Sequence, residues 1–170
     1  MLTESLLEEK KELIEELGVY FENSEDMPPL SARIFSLLVL SEFSGVTFDT
    51  IVESLGASKS STSTNLQLLQ SSGIVCYCTR PGDRKRYFKV DTHHIINRLD
   101  KKIEMWEKER KLHLKVSNFK MRLHKQQNTY SDKLPGIQYA NNYSVFIEDV
   151  IKNLIRLKEK TSALINEQQS

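Results

Sequence analysis

Cysteine is scarce in this chain: Cys76 and Cys78 are the only two among 170 residues, so no disulfide framework can hold the fold and an apolar core has to. Long hydrophobic runs are missing too. The longest apolar stretch, Ile34 to Leu40, falls far short of the roughly 20 residues that span a bilayer. Met1 to Glu22 is acidic and amphipathic, unlike the basic-then-apolar start of a signal peptide. No membrane partner is therefore expected, and a cytoplasmic location is. Catalytic signatures are equally absent, with no P-loop, G-x-S-x-G, H-E-x-x-H or dinucleotide glycine fingerprint, so the chain does not read as an enzyme and calls for no cofactor. No CxxC pair or helical HxxxH supplies a metal site. No internal repeat or low-complexity segment appears.

Net charge is close to absent at +1, which looks wrong for a protein that binds a polyanion. Divided along the chain it is −7 over residues 1–28, +2 over 29–91 and +6 over 92–170, so the overall value hides a basic part.

What is present centres on Thr47 to Val90. Thr47 can N-cap a short helix with Phe48, Ile51, Val52 and Leu55 at helical spacing, and Gly56 can stop it in the left-handed conformation. Ser58 can cap a second helix that buries Thr62, Leu66 and Leu69 and ends at Gly73. Ile74 to Thr79 and Arg86 to Val90 are rich in β-branched and aromatic residues, and Pro81-Gly82-Asp83 between them is a turn signal, since Pro presets φ and Gly permits positive φ. Helix, turn, helix and a basic two-stranded hairpin follow one another.

That order resembles the MarR-type winged-helix transcription regulators, and among them the GbsR-like branch, a bacterial group. The resemblance is carried by Pro29-Leu30-Ser31-Ala32-Arg33-Ile34, by Ser58-Lys59-Ser60-Ser61-Thr62-Ser63, by Leu66, Leu69, Gly73, Ile74 and Val75, and by Pro81-Gly82-Asp83-Arg84-Lys85. It directly covers about a third of the chain. It implies a homodimeric repressor that reads a pseudo-palindromic operator in double-stranded DNA.

The residues themselves support that chemistry. With Thr62, Leu66 and Leu69 inward, Ser60, Ser63, Thr64, Gln67 and Ser71 lie on the opposite face, where hydroxyls and an amide can donate to phosphates and base edges. The helix N-terminus at Ser58, flanked by Lys59, offers free N–H groups and the positive end of the helix dipole. So Ser/Thr-rich a helix is intrinsically poor, which argues against a merely solvated face. Arg84, Lys85 and Arg86 at the hairpin tip can follow the DNA backbone or enter a minor groove, with Asp83 holding one of these three by a salt bridge, and Arg80 at the base of the hairpin is a further DNA-contact candidate.

The flanks read as helices in need of partners. Residues 2 to 21 carry Leu2, Leu6, Leu13, Leu17 and Tyr20 in one stripe. A buried helix from Pro28 and Pro29 to Phe43 follows, closed by Gly45, from which Arg33 could reach a phosphate, although a local salt bridge is the plainer role for it. A long helix from Asp91 or Thr92 to about Asn128 has the stripe Ile96, Leu99, Ile103, Trp106, Leu112, Val116, Phe119 and Leu123. Tyr130 to Asn142 reads as a loop. A final helix shows Tyr143, Phe146, Val150, Leu154, Leu157, Thr161 and Leu164, widened by Ile147, Ile151, Ile155 and Ile165.

The expected architecture is mainly α with a small β-wing: an N-terminal amphipathic dimerisation helix over 1–28, a winged helix-turn-helix over 29–91 and a helical dimerisation region over 92–170. Trp106, Tyr130, Tyr139, Tyr143 and Phe146 bracket the last loop, and the resemblance suggests a small quaternary-ammonium or osmolyte effector there, held by cation–π contacts. Dimer-core packing is the plainer account of these aromatics. Two other functions compete: a winged helix that binds protein instead of DNA, and a Cys/His metal or redox sensor. The sensor would use Cys76 and Cys78, which share a strand face, with His93 and His94 nearby; small cysteines on a half-buried strand explain them more simply.

Overall fold

The computed structural model describes residues 3–41, 44–127 and 134–169. Along these the chain forms α1 (Glu4–Glu25), α2 (Pro29–Val39), β1 (Val46–Thr47), α3 (Phe48–Leu55), α4 (Lys59–Ser71), β2 (Val75–Thr79), β3 (Arg86–Val90), α5 (Thr92–Gln126) and α6 (Pro135–Gln169). It is a mainly helical winged helix-turn-helix with long helices at both ends, as the element order of the sequence predicts. Two compact units, Met1–His94 and Ile95–Ser170, divide it.

In the first unit α2 is the central helix. Pro29 opens it at a first-turn position, where its missing N–H costs nothing, and Ile34, Phe35, Ser36, Leu37 and Leu38 are all buried because α1, α3, α4 and β3 surround it. Ile34, Leu37 and Leu38 join Ile14, Ile51, Leu66, Leu69, Val75 and Phe88 in one core. Each fully buried Ile or Leu contributes about 1.5–3 kcal/mol. Buried Ser36 satisfies its hydroxyl by donating to the Ala32 carbonyl at 2.8 Å, and Ser31 ties α2 to α4 by donating to Asn65 Oδ1 at 2.7 Å.

The caps fall where the sequence puts them. Thr47 Oγ1 accepts from the Thr50 N–H at 3.3 Å, Ser58 Oγ from the Ser61 N–H at 3.1 Å, and Asp91 Oδ1 from the His93 N–H at 2.9 Å. Gly56 closes α3 at φ 59°.

Other elements differ from the sequence reading. On α1 the buried residues are Ile14, Gly18 and Phe21, while Leu6, Leu13 and Tyr20 of the expected stripe are exposed, Leu17 is half-buried and Leu2 lies outside the described residues. The helix has apolar residues on two sides, and the side that meets α2 is chosen by Gly18: a Cβ there would stand 3.0 Å from Arg33 Cγ. Arg33 crosses at that point and its guanidinium pairs with Glu15 (2.8 Å) and Glu22, the salt bridge foreseen for it. The hydrogen bond to Glu22 is the main reason that the Arg33 pKa is raised.

The hairpin is the larger part of a three-stranded antiparallel sheet in the order β1-β3-β2, rather than a two-stranded one. Val46 pairs with Phe88 and Thr47 with Tyr87, and Gly45 makes this possible at φ 82°, since a Cβ there would meet Phe88 O at 3.0 Å and Tyr87 Cβ at 3.1 Å. α2 ends at Val39, short of the expected Phe43, which lies outside the described residues.

The second unit is an antiparallel pair, α5 with α6. Arg110 pairs with Glu148 at 3.1 Å, Tyr143 OH donates to Glu109 Oε1 at 2.7 Å and Lys158 pairs with Asp100, so positions rising along α5 meet positions falling along α6. Such exposed pairs set register more than stability. α6 begins at Pro135, so the expected loop is helical over residues 135–142, with Pro135 at the first helical position; residues 130–133 lie outside the described ones, as does Asn128. Ile137, Ala140, Ser144, Ile147 and Ile151 are the buried residues of α6, and Ser117 is that of α5. Phe146, Leu157 and Leu164 from the expected stripe of α6 are exposed instead, and so are Leu112, Val116, Phe119 and Leu123 of α5. Two helices alone bury one face each, and these have apolar residues on more.

Candidate nucleic-acid interface

α4 presents the face that its spacing implies. Thr62, Leu66 and Leu69 are buried, while Lys59, Ser60, Ser63, Thr64, Gln67 and Ser71 are exposed. Its hydroxyls are not equivalent. Ser58 Oγ caps the helix and meets the Ser60 and Ser61 hydroxyls at 3.1 and 2.9 Å. Thr64 donates back to Ser60 O at 3.1 Å, Asn65 to Ser61 O at 2.8 Å and Ser71 to Leu68 O at 2.9 Å. Ser63, Gln67 and Gln70 make no side-chain hydrogen bond among the described residues. Leu68, 44% exposed, is the apolar residue on this outer surface.

The wing is shaped by Asp83 and Tyr87. The Asp83 N–H donates to Arg80 O at 3.1 Å to close the turn, in which Gly82 takes φ 77°. The Asp83 carboxylate accepts from Tyr87 OH at 2.6 Å and from the Lys85 N–H at 2.9 Å. These two bonds, the first above all, hold its pKa below the ordinary carboxylate value, and the same contact raises that of Tyr87. The salt bridge expected between Asp83 and one of the three cations is absent among the described residues: the return strand brings a tyrosine hydroxyl to the carboxylate first. Arg80 is an internal strut, its guanidinium lying 3.7 Å from the Tyr87 ring centroid and donating to Ser44 O at 3.0 Å. Arg86 lies 4.7 Å from the Tyr77 ring centroid.

Helix and wing enclose a cleft of about 350 Å³. Phe48, Leu66 and Phe88 form its apolar lining; Ser63, Gln67 and Gln70 from α4 and Arg84 and Arg86 from the wing supply the polar groups. Four residues named from the sequence, Ser63, Gln67, Arg84 and Arg86, are thus brought to one place. Ser58, Lys59 and Ser60 sit at the N-terminal end of α4, and Thr64 on its exposed face. Lys85 is exposed and outside the cleft lining, and Arg80 is committed to Tyr87. The sequence reading missed Gln70, a step of three beyond Gln67, and Tyr77 and Tyr87, which hold arginines; the alternation of the wing residues carried a signal for the tyrosines.

In the second unit Tyr139 and Tyr143 stack at 5.6 Å and 10°, Phe146 follows at 6.1 Å and 25°, and His113 lies 4.5 Å from the Tyr143 ring. The rings form a ladder. Trp106 has no ring contact with it among the described residues, and Tyr130 lies outside them.

Cys76 and Cys78 are free, half-buried thiols whose positions on β2 pair with Lys89 and Tyr87 of β3. Burial pushes the Cys76 thiol pKa up, as for a thiol on a half-buried strand. No group of three or more His, Cys, Asp or Glu among the described residues could hold a metal ion. No helix among them is long and apolar enough to cross a membrane.

No protein-family model matches the chain, and no curated protein does. Among solved structures, the crystal structure of a transcriptional regulator is similar at 21% identity over 95% of this chain and 99% of that one, with a TM-score of 0.48. A mutant of S. aureus MepR is similar at 17% identity over 88% and 99%, with a TM-score of 0.40. Likeness at that level assigns no function, which is argued from the residues of the interface.

Proposed function

We propose that the chain is a sequence-reading, double-stranded-DNA-binding transcription regulator of the MarR type, acting as a repressor in the cytoplasm. The observation that carries this reading is the cleft in which the exposed polar face of α4 and two wing arginines converge, with donors that no neighbouring group uses. Polar side chains on a helix that can enter a major groove, beside cations that can follow the backbone, are the two parts of a DNA interface. Lys59 and Lys85 extend the cationic surface beyond the cleft.

It acts as a homodimer. α5 leaves Leu112 52% and Phe119 58% exposed, α6 leaves Phe146 54%, and α1 keeps Leu6, Leu13 and Tyr20 in water, which is more apolar surface than a lone chain tolerates. Two recognition helices related by a two-fold axis would read half-sites about one helical turn apart, or a multiple of it. A small-molecule effector acting at the Tyr139–Tyr143–Phe146 ladder belongs to the same reading, with the ladder and the nearby Glu109 carboxylate suited to an organic cation.

Selection of bound duplexes from a random library, followed by affinity measurement against salt, tests the function. A pseudo-palindromic consensus bound with a steep salt dependence is the expected result; weak, salt-independent retention of all sequences would favour the protein-interaction reading.

A further inference from the structure

α4 has three exposed lines, and the structure gives them different surroundings. At about 100° per residue, Ser63, Gln67 and Gln70 form the edge that faces the wing, and all three line the cleft. Ser60 and Thr64 lie on the outermost line, and Leu68 stands beyond it, away from the cleft. The cleft edge is also where the unused donors are: Ser63, Gln67 and Gln70 make no side-chain hydrogen bond among the described residues, whereas Thr64 turns back to Ser60 O.

The wing side of the cleft is cationic. Arg84 and Arg86 are one residue apart on either side of Lys85 and both line the cleft, while Lys85 does not. Arg86 is steadied by its stacking on Tyr77 and makes no ion pair among the described residues. Two guanidinium groups facing a hydroxyl and two primary amides over an apolar floor suit a phosphodiester: the guanidinium forks match its anionic oxygens, and neutral donors complete its shell. A guanine edge could take one guanidinium through its two acceptors, but being uncharged it would leave both cations unneutralised, as a phosphodiester does not.

We propose, resting on the DNA-binding reading, that this cleft is a seat for the DNA backbone. Arg84 and Arg86 together with Ser63, Gln67 and Gln70 bind phosphate there, so the wing and one edge of the recognition helix act on the same stretch of strand. Reading of bases then falls to the outer lines, Ser60 and Thr64 through their hydroxyls and Leu68 through apolar contact with a thymine methyl. Gln70, which no motif singles out, becomes a phosphate-binding residue, and Gln67, which from the sequence could serve phosphates or base edges, is assigned to the backbone.

The test uses the full chain, a duplex taken from the random-library selection and its scrambled counterpart. Gln67→Ala and Gln70→Ala should each weaken binding to both duplexes by the same factor, about tenfold to a hundredfold for a lost hydrogen bond to an anionic oxygen. Thr64→Ala and Leu68→Ala should instead change the preference at particular base pairs. A scan that replaces single phosphates by uncharged methylphosphonates adds the geometric readout: the position at which wild type loses affinity should lose less in Arg86→Ala, and less at that same position in Gln70→Ala. The proposal is overturned if Gln67→Ala or Gln70→Ala relaxes preference at a defined base pair while scrambled-duplex affinity stays unchanged. It is equally overturned if the helix and wing variants lose sensitivity at different phosphates. Failure of the wild-type chain to bind any duplex would remove the DNA-binding function itself, and is recognised because the unmutated protein already fails.

Discussion

The Tyr87 hydroxyl donates to Asp83 Oδ2 at 2.6 Å across the wing, from the strand that leaves the turn back to the residue that makes it. The other Asp83 oxygen accepts from the Lys85 N–H, so one carboxylate holds the tip that carries Arg84, Lys85 and Arg86. Tyr87→Phe keeps the ring under Arg80 and removes this bond alone. The Asp83 pKa, held low chiefly by that hydroxyl, should rise toward the ordinary carboxylate value in the variant. A depressed carboxylate pKa contributes order that is present above the unfolded-state value and lost as pH falls through the folded one. Protection of the Lys85 amide should therefore decline in acid in the wild type, and at a higher pH in the variant. Carboxyl titration by NMR measures this; an unchanged Asp83 pKa in Tyr87→Phe would contradict it.

Arg33 joins α1 to α2 through Glu15 and Glu22 with its side chain 25% exposed. Arg33→Met should cost about 2 kcal/mol, since it removes charge-assisted hydrogen bonds and leaves two carboxylates facing an apolar stem. Urea unfolding followed by circular dichroism gives the number. A loss below about 0.5 kcal/mol, the scale of an ordinary surface pair, would mean that the guanidinium holds nothing.

The outer face of α5 is the place where the proposed dimer should break without disturbance to the chain itself. Phe119→Glu puts a charge on a side chain that is 58% exposed, so the secondary structure should persist while sedimentation shows a monomer. A Phe119→Glu dimer as tight as wild type would place the interface elsewhere.

Cys76 and Cys78 stand at strand positions that alternate with Tyr77, whose ring holds Arg86. Replacing both by Ser should change duplex affinity by less than a few-fold and remove no metal. Stoichiometric zinc or copper bound by the wild type and lost from the double variant would instead make the pair a sensor.

How far the sequence could be read depended on the range of each interaction. The caps at Thr47 and Ser58, the buried face Thr62–Leu66–Leu69 and the Pro-Gly turn are set within a few residues, and all were legible. β1 was not, because two residues make no periodicity and its pairing depends on Gly45 approaching Phe88, far along the chain. Pro135-Gly136 looked like a turn because Pro signals both a turn and a first helical position. The faces of α1, α5 and α6 were ambiguous for another reason: each has apolar residues on several sides, and small residues such as Gly18, Ser117 and Ala140 mark the packed side with little hydrophobicity. In the interface, charge and hydroxyls were visible in one dimension, but the convergence of Gln70 with Arg84 and Arg86, and the capture of Asp83 by Tyr87, appear only when the strands close.

The most direct measurement of the central claim is a salt titration of affinity for wild type and for the Arg84→Ala, Lys85→Ala, Arg86→Ala triple variant, on a selected duplex and on its scrambled counterpart. Three lost phosphate contacts should flatten the slope of log affinity against log salt by about one unit each, weaken both duplexes alike and leave the ratio between them intact. Equal affinity of the triple variant for both duplexes as compared with wild type, with an unchanged slope, would contradict DNA binding through this wing and put the protein-interaction reading first.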